Sequence, residues 1–420
     1  MNKLLLPLAL LSVMAGCNTS TPPPTTHSGT DSATTTDTLV TTIADTAIAI
    51  KSTINIDSLM QIAVPVAADK KYDVMASFAA GIPTNTKEYV TAESFTAFKK
   101  YQHFMDSAWK VVDRSRYIKM RNWAKTECTK ANAVAGGTVF YPFSGPDFVS
   151  VYSFFPNAKT YYMLALEPTG GYSSPTQFNE RFTSEYFENF TQSLDDIFNK
   201  SYFITRKMNT QLQSSRVDGV LPLLSMFIKR TGNTIIDVKK IHIDSTGSEI
   251  AIDYEKPFPA KGRPRGLKIE FHPYGNPADV RTVYYYSCDL IDANFNASKP
   301  FYKYLSNTIN ESTTYAKSAS YIMHLKVFSN ITRLVVNKSK FLLQDDTGVA
   351  LHYFDLKNYD ISLYGKYVKP VSDFDYGYQL DLKALYSRDS LNVKPLPYDL
   401  GYHWGTRENN LMRLVRKNIN

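Results

Sequence analysis

Apolar residues recur at three- and four-residue steps across residues 94–130, and this spacing predicts an amphipathic helix that Ser94 can cap. The same spacing predicts further helices at 178–198, 221–229, 313–324, 329–337, 378–386 and 409–416. We see no internal repeat, which argues against a helical solenoid.

Short β-prone runs alternate with these helices and are bounded by glycine, proline and asparagine. They predict strands at 138–141, 149–154, 160–166, 235–243, 249–254, 267–272, 282–289, 339–344, 349–354 and 361–364. The four runs between 235 and 289 alternate apolar and polar residues, which predicts an antiparallel meander. Because strict βαβ alternation is missing, we predict an α+β fold, with a mainly antiparallel sheet and packed helices.

The first seventeen residues form a short positive start, an apolar run over 4–14 and the sequence Ala15-Gly16-Cys17. This order is typical of a secretory signal. Residues 13–17 also resemble the lipobox of bacterial lipoproteins, with Met14 where leucine is commoner. The resemblance implies cleavage before Cys17, a diacylglycerol on its thiol and a fatty acyl group, such as palmitate, on its amine. The alternative is an ordinary signal peptide in which Cys17 is incidental.

Such a lipid anchor would attach the mature chain to a membrane without spanning it. Asn18 stands where an aspartate would retain some lipoproteins at the inner membrane, so the resemblance favours the outer membrane of the cell envelope and leaves the leaflet open. We therefore divide the chain into a signal peptide (1–16), a lipidated tether (17–70) and a globular body (71–420), with a weak boundary near 232.

The tether is rich in threonine, serine and proline and has too few large apolar residues to bury a core. Its four Asp-hydroxyl-aliphatic triplets resemble an O-glycosylation signal of some Gram-negative envelope proteins, and chance in an Asp/Thr-rich tract is the alternative. They begin at Asp31, Asp37, Asp45 and Asp57.

Composition narrows the function classes. Hydrophobic residues make up 43% and charged residues 20% of the chain, so the body can bury a core. A formal net charge of +8 is too small to indicate nucleic-acid binding. No apolar run is long enough for a membrane-spanning helix, which argues against an integral transporter or channel. Some of the 29 tyrosines suit a sugar or protein surface, although we expect most of them in the core.

Two cysteines remain besides Cys17. Export favours a disulfide between Cys128 and Cys288, and two separate buried thiols are an equal alternative. Neither has the Cys/His spacing of a zinc site, and no phosphate-binding, dinucleotide or metalloprotease motif occurs. We therefore predict no metal and no cofactor.

The string Ser144-Gly145-Pro146-Asp147 is the first candidate for a ligand site. Ser144 and Asp147, joined by Glu167 after the strand at 160–166, could present a hydroxyl and carboxylates to a ligand. The hydrolase pattern GxSxG is absent, and Ser-Gly-Pro-Asp is also strong turn chemistry, so a turn is the favoured interpretation.

Asp345 and Asp346 are the second candidate, because adjacent carboxylates can share a cation or raise one another's pKa. The favoured alternative is a β-hairpin turn, Asp-Asp-Thr-Gly, between the runs at 341–343 and 349–351. Two further clusters each have a functional alternative. On two strands that could be neighbours, a metal could be bound by His242, Asp244, Glu270 and His272. Phosphate groups of lipopolysaccharide or other envelope anions could meet a basic loop that contains Lys256, Lys261, Arg263, Arg265 and Lys268. A solvated surface is the favoured interpretation of both clusters.

The sequences at 141–148, 154–158 and 166–168 resemble a set of envelope lipoproteins of no known activity. This resemblance therefore implies no activity for the chain. Two hypotheses remain. The first is a non-enzymatic binding or assembly component that contacts envelope proteins or glycans. The second is an envelope glycan or peptide hydrolase that uses Asp147, Glu167, Asp345 and Asp346.

Overall fold

A computed structural model describes residues 64–132, 137–204, 208, 216–259, 264–405 and 408–417. The predicted signal peptide, Cys17 and the four glycosylation triplets lie outside these ranges. All described residues belong to one compact unit, Asn55–Asn420. Within them, every helix is too short or too polar to cross a membrane.

Ten strands of the described chain form one sheet. They are β1 (Thr138–Pro142), β2 (Thr160–Ala165), β3 (Asn233–Ile243), β4 (Glu249–Ile252), β5 (Arg265–Pro273), β6 (Arg281–Ser287), β7 (Ser312–Ala316), β8 (Ser339–Gln344), β9 (Tyr359–Gly365) and β10 (Asn410–Arg416). Their order across the sheet is β4-β3-β5-β6-β2-β1-β7-β8-β10-β9.

The α+β class is confirmed, but the sheet is mixed. β6, β2, β1, β7 and β8 run parallel to one another in the centre. The flanking pairs β4-β3, β3-β5, β5-β6, β8-β10 and β10-β9 are antiparallel. The predicted strands between 235 and 289 form the antiparallel flank, but β3 lies between β4 and β5, so the order is not that of a meander.

Helices cover both faces of this sheet. They are α1 (Lys71–Ala79), α2 (Val90–Ser94), α3 (Thr96–Val112), α4 (Ile118–Glu127), α5 (Thr129–Asn132), α6 (Phe148–Phe154), α7 (Glu180–Lys200), α8 (Leu221–Arg230), α9 (Pro300–Thr308), α10 (Ser329–Lys338) and α11 (Leu380–Tyr386). A π-helical turn, Asp113–Tyr117, joins α3 to α4, and Cys128 separates α4 from α5, so the long predicted helix is confirmed with these interruptions. The predicted cap is wrong: Ser94 ends α2, and Phe95 is the N-cap of α3.

Each face has its own hydrophobic core. The first contains buried side chains of α1, α3, α4, α6, α7 and α8. The second contains those of α9, α10 and α11. Alternate residues of one strand supply both cores: Leu411 of β10 belongs to the first, and Met412 and Leu414 belong to the second.

Four predicted elements are wrong. The segment at 149–154 belongs to helix α6, and the segments at 313–324 and 409–416 contain strands β7 and β10. The segment at 349–354 contains a 3-10 turn, Leu351–Tyr353, instead of a strand. Both backbone groups of Val349 bond the Gln344 side chain, at 2.7 and 2.9 Å, so they are not available to a neighbouring strand. The prediction for β10 is wrong because both faces of this strand are largely buried, which removes the alternation of apolar and polar residues that marks a half-exposed strand.

The weak boundary near residue 232 does not divide the sheet. Strands from both sides of it are direct neighbours, since β2 pairs with β6 over six residues from Thr160↔Thr282 to Ala165↔Ser287.

Candidate functional site

The carboxyl ends of the five parallel strands meet at one edge of the sheet, which we call the carboxyl edge. The chain leaves β1 towards β2 through α6 on one face, and it leaves β7 towards β8 through α10 on the other face. β1 and β7 are neighbours. Connections that diverge in this way open a crevice outside the carboxyl ends, where ligands bind in open sheets with parallel strands.

The five candidate residues from the sequence all follow strands at this edge, and all are buried. Ser144 and Asp147 follow β1, Glu167 follows β2, and Asp345 and Asp346 follow β8. None is more than 5% exposed. The structure therefore brings the candidates to one edge but does not present them to solvent.

Lys317, the first residue after β7, closes the crevice by pairing with Asp147 after β1. Its Nζ lies 2.5 Å from Asp147 Oδ2, 3.2 Å from Ser150 Oγ and 2.5 Å from the carbonyl oxygen of Ser201. Asp147 also accepts from the Tyr141 hydroxyl at 3.1 Å and caps α6 through the Ser150 N–H at 3.2 Å. Burial lowers the pKa of Lys317, and the Asp147 carboxylate opposes that change.

Ser144 and Glu167 hold the loops that follow β1 and β2. The Ser144 N–H donates to the Leu164 carbonyl at 2.9 Å, and its hydroxyl donates to the Gly145 carbonyl at 2.9 Å. The Tyr285 hydroxyl donates to the Glu167 carbonyl at 2.8 Å. The predicted turn is thus confirmed, although it leads from a strand into helix α6 rather than into another strand.

The predicted turn at Asp345–Gly348 forms, with the Gly348 N–H donating to the Asp345 carbonyl at 3.2 Å, but it is not a hairpin turn, because no strand follows it at 349–354. Asp345 accepts from the Ser318 N–H at 2.9 Å and from the N–H of Thr347 at 3.0 Å and its hydroxyl at 2.5 Å. Asp346 accepts from the Asn410 side chain at 2.9 Å and from the Tyr321 hydroxyl. The pair therefore ties β8 to the loop after β7 and to the start of β10.

This environment changes the acidity of the pair. Burial, followed by the charge of Asp346, raises the pKa of Asp345 to about 6. Burial also raises the pKa of Asp346. His403 Nε2 lies 4.0 Å from Asp346 Oδ2, and burial lowers the pKa of this histidine. Perturbed ionisable groups of this kind concentrate at functional sites.

Backbone strain also concentrates here. Eight non-glycine residues of the described chain have positive φ. Five of them belong to this edge, namely Phe143, Ser201, Ser318, Ser320 and Tyr321. Each such residue costs about 1–3 kcal/mol and persists only where its surroundings hold it.

An aromatic shelf lies over the strained loop after β7. We define it as Tyr202, Phe374, Tyr376 and Tyr402, all partly or largely exposed. Phe374 stacks on Tyr402 at 5.2 Å between ring centroids, and Tyr202 meets Tyr402 edge-on at 4.7 Å. Tyr376 is 48% exposed, and its hydroxyl donates to the Ser320 carbonyl at 3.0 Å.

The sequence patterns do not identify this shelf, Lys317 or His403 as parts of a functional site. The segment after β7 was predicted as helix, so Lys317 was not recognised as a residue at a strand end. His403 is a single histidine beside Trp404, a pattern that is typical of a packing residue. The signal that could have located Lys317 is the β-prone run Thr313-Thr314-Tyr315 directly before it.

The two cysteines are free thiols, so the disulfide alternative is wrong. Cys128 belongs to the core on one face of the sheet, and Cys288 packs against the core on the other face. Burial raises the pKa of both thiols, which disfavours the reactive thiolate form.

The histidines on the antiparallel flank do not converge. In the β3-β5 register, His242 lies opposite Arg265, and His272 lies opposite Thr234 towards the other end of the pair. No group of three or more histidine, cysteine or acidic side chains in the described ranges could hold a metal ion.

Comparisons of the chain with protein-family models, with curated proteins and with solved structures found no match.

Proposed function

We propose that this chain is a lipid-anchored component of the bacterial cell envelope that binds a glycan on the aromatic shelf and does not cleave it. The lipobox-like residues 13–17 support the anchor. The shelf over the strained loop at the carboxyl edge is the observation that supports binding.

A sugar ring suits this surface chemically. Its C–H faces pack on aromatic rings, and its hydroxyls need hydrogen-bond partners at the ring edges. The Tyr376 hydroxyl donates its proton to the Ser320 carbonyl and retains acceptor capacity for a sugar hydroxyl. The same loop carries the exposed carboxylates of Asp373 and Asp375, which can also accept from sugar hydroxyls. Burial raises the pKa of Tyr202, with Asp373 among the charges that add to the effect, so this carboxylate lies beside the shelf.

The buried carboxylates favour binding over hydrolysis. A general acid must reach the substrate, whereas the Asp345 and Asp346 oxygens already accept hydrogen bonds from protein donors. Both side chains are at most 5% exposed. Asp345 and Asp346 instead stabilise the loop after β7, over which the shelf lies.

Binding can be tested with the purified full chain on an array of glucose-, xylose-, mannose- and N-acetylglucosamine-based oligosaccharides. Tyr376→Ala should weaken binding by about two- to tenfold, since an aromatic contact contributes about 0.5–1.5 kcal/mol. Tyr274→Ala is the matched control, because Tyr274 is 38% exposed and follows β5 at the opposite edge. Equal affinities of the two variants, or no binding by the parent chain, would contradict the proposal.

A glycan hydrolase is the second candidate, and the raised pKa of Asp345, about 6, is the observation that favours it. The bound oligosaccharide should remain intact during prolonged incubation. Release of new reducing ends by the parent chain, abolished in Asp345→Asn without loss of binding, would establish the hydrolase instead.

The anchor is tested separately by intact mass spectrometry of membrane-extracted protein. We expect a mass that lacks residues 1–16 and carries acyl chains, and we expect Cys17→Ala to lose both features. An unacylated soluble product from the parent chain would refute the anchor and leave glycan binding untouched.

A further inference from the structure

A groove lies at the edge of the sheet opposite the carboxyl edge, where β7 and β8 begin and β10 ends. It encloses about 370 Å³. The loop before β7, the junction between α10 and β8, and the end of β10 form its walls. We call it the amino-edge groove.

Positive charge dominates the walls of this groove. Its charged lining residues are Lys338, Lys340, Arg416, Lys417 and Glu311. Four cations therefore face one carboxylate. The nearest carboxylate contact of Lys340 is loose, with Nζ 3.6 Å from Glu311 Oε2, and both side chains are at least half exposed.

Arg416 has a structural role that leaves the lysines available. Its guanidinium donates to the carbonyls of Val336 and Asn337, the last turn of α10, and to the Tyr359 hydroxyl at 3.3 Å. Arg416 thereby satisfies carbonyls at the negative end of that helix, which would otherwise repel an anion.

The three lysines hold only neutral or loosely placed acceptors. Lys338 Nζ donates to the Asn310 side-chain oxygen at 3.2 Å, and Lys417 Nζ donates to the Lys357 carbonyl at 3.0 Å. Neither pairs with a carboxylate in the described structure. Among the described residues, no carboxylate therefore neutralises the charge of Lys338 or Lys417.

The predicted basic loop makes a useful contrast. Lys261 and Arg263 lie outside the described residues. Of the other members, Lys256 Nζ lies 3.1 Å from Asp253 Oδ2, Lys268 Nζ lies 2.8 Å from Glu270 Oε1, and the Arg265 guanidinium lies over the Phe258 ring. Both of these lysines already have carboxylate partners, so they are less available to an anion than the groove lysines.

We propose that the amino-edge groove binds a phosphate-bearing ligand. Several ammonium groups that converge on one concave site form charge-assisted hydrogen bonds with a multiply charged anion, and each ammonium can turn to meet a phosphate oxygen. The Asn310 and Asn337 side chains in the same lining add neutral donors. The ligand is either a soluble phosphate compound or the headgroup of an anionic lipid, which share this chemistry.

The test compares two charge-matched triple variants of the full chain. Lys338→Gln, Lys340→Gln and Lys417→Gln remove the groove lysines and retain Arg416. The control changes three exposed lysines elsewhere on the body, Lys87, Lys99 and Lys100, to glutamine. Both variants lose three positive charges, so a difference between them reports the groove and not the net charge. Unaltered thermal unfolding of both verifies that they fold.

Two probes distinguish the ligand sources. Isothermal titration measures binding of inorganic pyrophosphate by the purified protein. Flotation measures binding of the Cys17→Ala chain, which cannot be acylated there, to phosphatidylcholine vesicles with and without phosphatidylglycerol.

Saturable pyrophosphate binding that falls at least about tenfold in the groove variant, but not in the control, would support a soluble phosphate ligand. Flotation that needs phosphatidylglycerol and disappears in the groove variant alone would support a lipid headgroup. Absence of both interactions, or an equal loss in the two variants, would overturn the proposal.

Discussion

The buried pair of Lys317 and Asp147 allows a sharp test of what holds the carboxyl edge together. Their side chains are 1% and 2% exposed, and Lys317 Nζ has three oxygen acceptors within 3.2 Å. Lys317→Met removes the cation and leaves the carboxylate buried with two remaining donors, the Tyr141 hydroxyl and the Ser150 N–H.

We expect Lys317→Met to lower the free energy of unfolding by about 3–5 kcal/mol, the usual cost of breaking a buried ion pair from one side. Asp147→Asn should cost a similar amount, because asparagine still caps α6 but leaves the Lys317 ammonium without a counter-charge. The double variant buries neither charge, so its cost should be about 1–3 kcal/mol less than the sum of the two.

Urea unfolding, followed by tryptophan fluorescence and far-ultraviolet circular dichroism, measures the free energy of unfolding of the parent chain, the two single variants and the double variant. Lys256→Met is the control, because its ion pair with Asp253 is about 70% exposed on both sides and should contribute less than about 1 kcal/mol. Additive single-variant costs, or a Lys317→Met cost as small as that of the control, would refute the electrostatic explanation of the edge.

Three further predictions concern the site and the thiols. Gly401→Ala should lower the free energy of unfolding by about 2 kcal/mol or more, because φ is +63° and the new Cβ would lie 2.7 Å from Asp345 Oδ2. Gly405→Ala is the control and should be neutral in the same urea assay, because its new Cβ would have no atom within 4 Å. The pKa of Asp345, about 6 against the usual 3.8, lies above its unfolded value, so the folded state holds more protons between pH 4 and 6. The free energy of unfolding should fall as pH rises through that window, and Asp345→Asn should flatten the fall; a parent chain with no slope there would contradict the assignment. Alkylation without reductant should label neither Cys128 nor Cys288 in the native protein and both after denaturation, and peptide mass spectrometry that finds them unlabelled in urea would point to a disulfide.

The sequence predicts the outer elements of this fold better than its centre. The helix at 178–198 is confirmed as α7 because only its inner side is buried, with Phe187 and Phe190 against Tyr101 of α3, which preserves a 3.6-residue period. In β10 both sides are covered, so Leu411, Met412, Leu414 and Val415 imitate helical spacing. The parallel centre was missed for the same reason, since β7 was predicted as part of a helix.

The candidate site shows the limit of local patterns in another way. The turn at Ser144–Asp147 was predictable because glycine and proline determine it locally. The surroundings of Asp345 and Asp346 were not, because their partners Ser318, Tyr321 and Asn410 come from other strand ends. Adjacent carboxylates before a glycine have the same sequence signature in a solvated turn and in a buried network.

Burying so many ionisable groups at the carboxyl edge costs desolvation free energy, so their presence there needs an explanation. Hydrophobic replacements of similar volume are often as stable as a buried ion pair, so stability alone does not explain Lys317 and Asp147. Their contacts instead fix loops whose backbone is strained at Phe143, Ser201 and Ser318. A rigid, strained loop lowers the entropy cost of binding, because the surface that it carries is already ordered before a ligand arrives. The same parallel strands that gather these loops at the carboxyl edge direct their amino ends to the opposite edge, beside the basic groove. A glycan on the shelf and a phosphate in the groove would therefore occupy opposite ends of the same strands and need not compete.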